Sequence, residues 1–222
     1  YLTEASGDYA LIMGTSMVLN IDIKDVFKKH LESKADITVV YKTIQENDLG
    51  FERCNIVKTN EYGGVVTFGR NIKRPDMVPE KKNISTEIYI VKKELLVDMI
   101  IDAISTGENV YLTDVLHGAV TKYKVRSYEF KGYVKNINSI ESYFETSMDM
   151  LNESHIREVF FGENLIRTKV KDETPTYYSP DSKVTNSLIA NGCIIEGTVT
   201  NSIIFRRVTV AKGAEIRDSI IM

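Results

Sequence analysis

After a short apolar run, Ala10-Leu11-Ile12-Met13, the chain turns through Gly14-Thr15-Ser16-Met17. The carboxyl end of a strand in an α/β sheet is where ligands bind, and a catalytic carboxylate is often found there. This strand end offers hydroxyls and no charge. The other residues capable of chemistry are scattered. His30, His117 and His155 lack metal-ligand spacing and read as structural or surface groups. Cys54 and Cys193 lie far apart with no CxxC, which suggests neither a disulfide framework nor a zinc site. Gly63-Gly64 reads as a turn, because the sequence contains no P-loop and no GxGxxG pattern. Lys73-Arg74 pairs two cations and reads either as a solvated charge cluster or as a clamp for a phosphate.

The elements that must hold these residues fall into two regimes. The chain has 222 residues, 43% hydrophobic and 27% charged, enough to bury a substantial core in one large or two modest domains. A formal net charge of -3 without a Lys/Arg tract argues against nucleic acid as a partner. The sparse cysteines lead to the expectation of a reducing, cytoplasmic compartment; no apolar run approaches the roughly 18 residues of a membrane span and no signal peptide opens the chain. Strand-like and helical patterns alternate up to about Leu151, which predicts α/β. Asp22 caps a helix to Ser33, Ile37 to Tyr41 is a β-branched strand, and Phe51 to Val57 with Val65 to Phe68 flank a hairpin turn at Asn60 and Gly63-Gly64. Ile84 to Val91 is a strand, followed by a helix through Leu95, Leu96, Met99, Ile100 and Ile104. Asn109 to Tyr123 is predicted helical, Lys124 to Tyr133 strand-like, and Asn138 with Glu141 makes a capping box for a helix to Met150. Thr174-Pro175-Thr176-Tyr177-Tyr178-Ser179-Pro180 has the composition of a linker.

Beyond it lies a repeat. Asn186-Ser187-Leu188-Ile189 recurs as Asn201-Ser202-Ile203-Ile204 and as Asp218-Ser219-Ile220-Ile221, while Ile204, Val210 and Ile216 fall six residues apart, as do Ile189 and Ile195. A period of six predicts a left-handed parallel β-helix of roughly two coils, with aliphatic residues inward and Ala190, Gly192, Gly197, Gly213 and Ala214 at tight positions. The expected domains are therefore residues 1–173, a partial α/β domain, and 174–222, linker and β-helix. The opening at Tyr1 without a Met and the stop at Met222 give the expectation of a piece of something longer.

An α/β domain followed by such a linker and β-helix resembles the sugar-nucleotide pyrophosphorylases, and the residues resemble the glucose-1-phosphate adenylyltransferase (ADP-glucose pyrophosphorylase) family, including its non-catalytic GlgD-type subunit of the bacterial glycogen pathway. In that family the first strand is followed by Gly-Asp-His, whose Asp helps bind the catalytic Mg²⁺. Here Thr15-Ser16-Met17 stands there, and Asn20-Ile21-Asp22 resumes the family pattern. The later family segment Trp-Arg-Asp-Val-Gly-Thr falls within Tyr133-Val134-Lys135-Asn136-Ile137-Asn138-Ser139, with the helix pattern Ile140-Glu141-Ser142-Tyr143-Phe144 fixing the register, so the second metal-binding Asp is Asn136. The family's Phe-Val-Glu-Lys-Pro falls on Phe68-Gly69-Arg70-Asn71-Ile72, and a small gap places Lys73 or Arg74 near the sugar phosphate. Ser85 and Glu87, where the family strand reads Ser-Met-Gly-Ile-Tyr-Val, join them as candidate sugar-phosphate contacts implied by the resemblance. The family's glycine-rich nucleotide loop is expected ahead of Tyr1.

The resemblance implies an incomplete nucleotidyltransferase domain with a Rossmann-like mixed sheet. Adenylyl transfer joins two anions, and its metal needs hard carboxylate ligands to neutralise charge as pyrophosphate leaves. Ser16 and Asn136 are degenerate metal-site positions, and losing one electrostatic stabiliser costs on the order of 10² to 10³ in rate. The expectation is a regulatory or structural, catalytically silent subunit that binds no cofactor, although its catalytic relatives use Mg²⁺. It is expected to assemble with a homologous catalytic subunit as a homo- or hetero-oligomer. Two alternatives stay open: an active adenylyltransferase whose metal ligands moved to acids such as Asp22 and Asp114, and a hexapeptide acyltransferase. The latter usually needs a histidine in the β-helix, and none follows His155.

Overall fold

A computed structural model describes residues 2–45, 50–52, 54–70, 81–106, 111–169 and 171–222. In chain order the first part contains β1 (Tyr9–Met13), β2 (Met17–Val18), α1 (Ile23–Ser33), β3 (Ile37–Ile44), β4 (Asn55–Thr59), β5 (Val65–Arg70) and β6 (Lys82–Lys92). Helices α2 (Lys93–Ser105) and α3 (Leu112–Gly118), a 3₁₀ turn Ala119–Thr121, β7 (Val125–Glu129) and β8 (Lys135–Asn136) follow. Then come α4 (Ile140–Asp149), α5 (Glu153–Phe160) and nine short strands: β9 (Tyr177–Tyr178), β10 (Lys183–Thr185), β11 (Leu188–Ile189), β12 (Ile194–Ile195), β13 (Thr198–Thr200), β14 (Ile203–Ile204), β15 (Thr209–Val210), β16 (Glu215–Arg217) and β17 (Ile220–Ile221). Contacts divide the chain into two compact units, Tyr1–Asn136 and Ile137–Met222.

The first unit is built on a mixed sheet in the order β5-β4-β6-β3-β7, with β1 also paired to β6. Strand β3 runs parallel to β7 and antiparallel to β6. Alternation along the central strands sorts their side chains to two faces, as a pleated strand requires. Ile37, Val39, Tyr89 and Val91 pack with Leu96 and Leu116 of α2 and α3, whereas Val40, Ile88 and Ile90 pack with Val26 of α1. A sheet covered on both faces buries its strands throughout, and β3 and β6 are buried along most of their length. Helix α1 begins where Asp22 accepts the Lys24 N–H at 2.8 Å and ends at Lys34 in the left-handed region, φ 50°. The expected hairpin forms: Asn60 takes the Tyr62 and Gly64 N–H groups on its side-chain oxygen, and Gly63 supplies φ 71°.

In the second unit the capping box of α4 sits one residue later than the sequence suggested. Ser139 accepts from the Ser142 N–H at 3.1 Å and its own N–H donates to Ser142 Oγ at 2.9 Å, because the shorter hydroxyls close the reciprocal pair that Asn138 and Glu141 were expected to make. The hexad repeat builds a left-handed parallel β-helix from three parallel sheets, β9-β12-β15, β10-β13-β16 and β11-β14-β17. Each sheet holds three strands, so the coil is longer than the two turns expected. The extra strand is β9: Tyr177-Tyr178, read as linker, pairs with Ile194-Ile195 and is already the first rung. The core of this unit is Cys193, Ile195, Val199, Ile204 and Val210. Asn186, Asn201 and Asp218 stack at one corner with φ of 44°, 46° and 44°, and their side chains form a ladder, Asn186 Nδ2 to Asn201 Oδ1 at 2.8 Å and Asn201 Nδ2 to Asp218 Oδ1 at 2.6 Å. Short polar side chains tolerate this left-handed backbone and bond along the stack, which explains why the repeat carries Asn or Asp there.

Candidate functional site

Strands β2 and β8 form a small antiparallel sheet of their own, with Met17 opposite Asn136. This pairing sets Ser16 one residue from the partner of Asn136, so the two residues expected from the sequence to stand at former metal positions share one strand end although they are far apart in sequence. Asn136 is buried, and its amide nitrogen donates to the Gly50 carbonyl at 2.9 Å and to Cys54 Sγ at 3.3 Å. It acts as a tie for the segment around Gly50. Burial first, then the charges of Glu87 and Glu52, push the Cys54 thiol up to about 11, so the sulfur is a protonated hydrogen-bond partner and not a nucleophile at neutral pH.

Glu87 stands at a bulge. The β3–β6 register jumps from Val39 opposite Tyr89 to Tyr41 opposite Ser85, leaving Thr86, Glu87 and Ile88 against Val40. Thr86 Oγ1 bonds the Val40 carbonyl at 3.1 Å, and Glu87 takes φ 59°, a left-handed conformation that costs a non-glycine residue about 1 kcal/mol. The Glu87 carbonyl accepts the Gly14 N–H at 2.9 Å, which brings the acid to the end of β1. Ser85 is fully buried. Its hydroxyl accepts the Glu87 N–H at 3.1 Å and lies 3.3 Å from the Tyr89 hydroxyl, which in turn is 3.1 Å from His117 Nε2. Burial pushes Tyr89 up to about 12 and lowers His117, whose ring stacks on Phe68 with centroids 3.9 Å apart. The line from Ser85 to His117 is thus a neutral, inward-facing support beneath Glu87.

Of the sequence-predicted residues, the fold brings together Ser16, Asn136 and Glu87 and turns the Ser85 hydroxyl into the core. Lys73 and Arg74 lie outside the described residues. Asp22 is spent on capping α1, and Asp114 accepts the Tyr111 N–H at 3.1 Å at the start of α3. The donor set at the strand end is one carboxylate, two neutral positions and a protonated thiol, which does not fit a Mg²⁺ site built from two acids. Sequence reasoning missed Cys54 and the backbone state of Glu87. The available signal was Gly14, a glycine placed where another residue's side chain needs its missing Cβ.

The chain thus combines a doubly covered mixed sheet with, further along the sequence, a hexad β-helix. The family described as "GlmU-like, C-terminal hexapeptide" matches residues 175–222. The chain is 31% identical, over 98% of its length, to the glycogen biosynthesis protein GlgD of Bacillus subtilis (strain 168), of which it covers 52%. It is 31% identical to the glucose-1-phosphate adenylyltransferase of Mycoplasma mobile, again over 98% of the chain and covering 56% of that protein. Against the enzyme of that name from Geobacillus stearothermophilus the identity is 29%, covering 98% of the chain and 55% of the relative. The chain is thus similar to the glucose-1-phosphate adenylyltransferases and to GlgD, and spans about half the length of these curated relatives. Among the described residues no helix is long and apolar enough to cross a membrane.

Proposed function

We propose that this chain is part of a catalytically silent, regulatory or structural subunit of ADP-glucose pyrophosphorylase in bacterial glycogen biosynthesis, working in the cytoplasm beside a homologous catalytic subunit. The observation that carries this reading is the neutral pair Ser16 and Asn136 at one strand end, with the Asn136 amide committed to Gly50 and Cys54. Two oxygens without charge give Mg²⁺ little reason to shed its waters. The alternative of displaced metal ligands draws no support from Asp22 or Asp114, since both serve helix starts.

The test uses the full-length protein. Alone, with ATP, glucose 1-phosphate and Mg²⁺, it is expected to make no ADP-glucose at ordinary enzyme rates, roughly 1 to 10³ per second. Mixed with its catalytic homologue at fixed catalytic concentration, it is expected to raise kcat/KM or to shift the effector response. Ordinary turnover by the protein alone, or unchanged kinetics and sedimentation on mixing, would overturn the reading.

A further inference from the structure

We infer that Glu87 is a specificity-determining residue whose carboxylate closes the strand end beside Gly14, Ser16 and Asn136 to phosphate-bearing ligands. The inference rests on the reading above, that the strand end descends from a sugar-phosphate site, and names what keeps such a ligand out. Three observations carry it. Glu87 holds a left-handed backbone at a bulge, φ 59°, where a glycine would sit without strain, so the side chain is present at a cost. The side chain lies directly over Gly14: a Cβ built there would come within 2.5 Å of Glu87 Oε2 and 2.9 Å of its Cβ. Gly14 and Glu87 are thus matched, the missing Cβ of one making room for the acid of the other. Finally, among the described residues no hydrogen bond or ion pair engages the carboxylate. Its charge remains available to the strand end, and after burial it is a cause of the raised pKa of both Cys54 and Tyr89.

A carboxylate without a partner among the described residues repels an approaching phosphate in proportion to the inverse of distance and local dielectric, and at a partly buried site the effect is large. Like-charge juxtaposition is a recognised way to refuse a ligand without remodelling a site. An uncharged polyol or a cation meets no such barrier.

The experiment is calorimetry on the full-length protein with glucose 1-phosphate as the probe, comparing wild type with Glu87→Gln, Glu87→Asp and Glu87→Gly. Gln keeps the length and removes the charge, Asp keeps the charge, and Gly removes both charge and bulk. The expected result is binding by Gln and Gly that is on the order of ten- to a hundredfold tighter than by wild type and Asp, with the gap narrowing as salt rises. If Gly binds and Gln does not, the barrier is steric and the inference fails. It fails equally if wild type binds as tightly as Gln, or if no variant binds. Circular dichroism of each variant establishes that it is folded. The same variants mixed with the catalytic homologue separate the two readings: absence of any effect on the partner overturns the silent-subunit proposal whatever the calorimetry shows, whereas a preserved effect with no Glu87 dependence of binding overturns only this one.

Discussion

At the scale of single residues, two substitutions that look conservative are expected to act through very different terms. Asn136→Asp changes one atom, yet that atom donates to the Gly50 carbonyl and to Cys54. The carboxylate would face a carbonyl oxygen across a buried contact, and about 1–3 kcal/mol of stability should be lost, read as a lower urea midpoint. Adding Ser16→Asp places a second acid one residue from its partner strand position. In that double variant Mg²⁺ should raise the midpoint by binding the folded state, while the wild-type midpoint stays put. The histidines give a pH term. His30 is buried with Nδ1 2.8 Å from Thr38 Oγ1, and burial, then Lys92, lower its pKa against the opposing pull of Asp36. Burial likewise lowers His117, with Asp114 opposing. Both groups bind protons more readily in the unfolded chain, so unfolding free energy rises with pH across this window. The stabilisation is complete above the unfolded value, near pH 6.5, and is lost as pH falls through the lower folded values. Denaturant midpoints from pH 7.5 down to 5 should fall, and the slope should be shallower in a His30→Gln, His117→Gln variant.

At the scale of elements, glycines of opposite sign report how each element is packed. A Cβ on Gly197 would overlap the Ala214 carbonyl oxygen and stand 2.7 Å from that of Ala211, both backbone atoms of the following coil. Backbone cannot turn away as a flexible side chain can, so Gly197→Ala should cost on the order of 1–3 kcal/mol and loosen the stacking of β13 on β16. Gly118, the last residue of α3, has helical φ -65° and ψ -22° and, among the described residues, nothing within 4 Å of a built Cβ. Gly118→Ala should therefore stabilise by about 0.4–1 kcal/mol, mostly by restricting the unfolded chain. Thermal melts of the two single variants check both signs.

At the scale of the whole molecule, the silent subunit proposed above would act on a homologue only through contacts that differ between the partner's states. The unit that carries the β-helix offers exposed surface for such contacts. Phe161 and Leu165, in the same compact unit, add apolar surface at 69% and 66% exposure. A coupling of the usual size, about 1–3 kcal/mol, would change the partner's affinity for substrate or effector by roughly 5- to 150-fold. That range sets the sensitivity needed in the mixing experiment, and co-sedimentation of the two full-length chains should accompany it.

What the sequence by itself determined is what depends on near neighbours. The hexad period, the Asp22 cap, the Asn60–Gly63 turn and the neutral character of Ser16 and Asn136 are all legible, because a cap, a turn or a repeat is satisfied within a few residues of itself. The capping box of α4 was legible in kind and misplaced by one residue, since neighbouring Ser and Asn side chains compete for the same N–H groups. Tyr177-Tyr178 carried the composition of a linker, and only the presence of Ile194-Ile195 beside it made it a rung. The tertiary structure alone decided that Met17 faces Asn136 and that the Asn136 amide is spent on Gly50 and Cys54. It also decided that Glu87 takes a glycine-like backbone over Gly14. Each of these is set by what stands opposite across a sheet or a bulge, and the identity of an opposing residue is fixed by register, which long-range pairing determines.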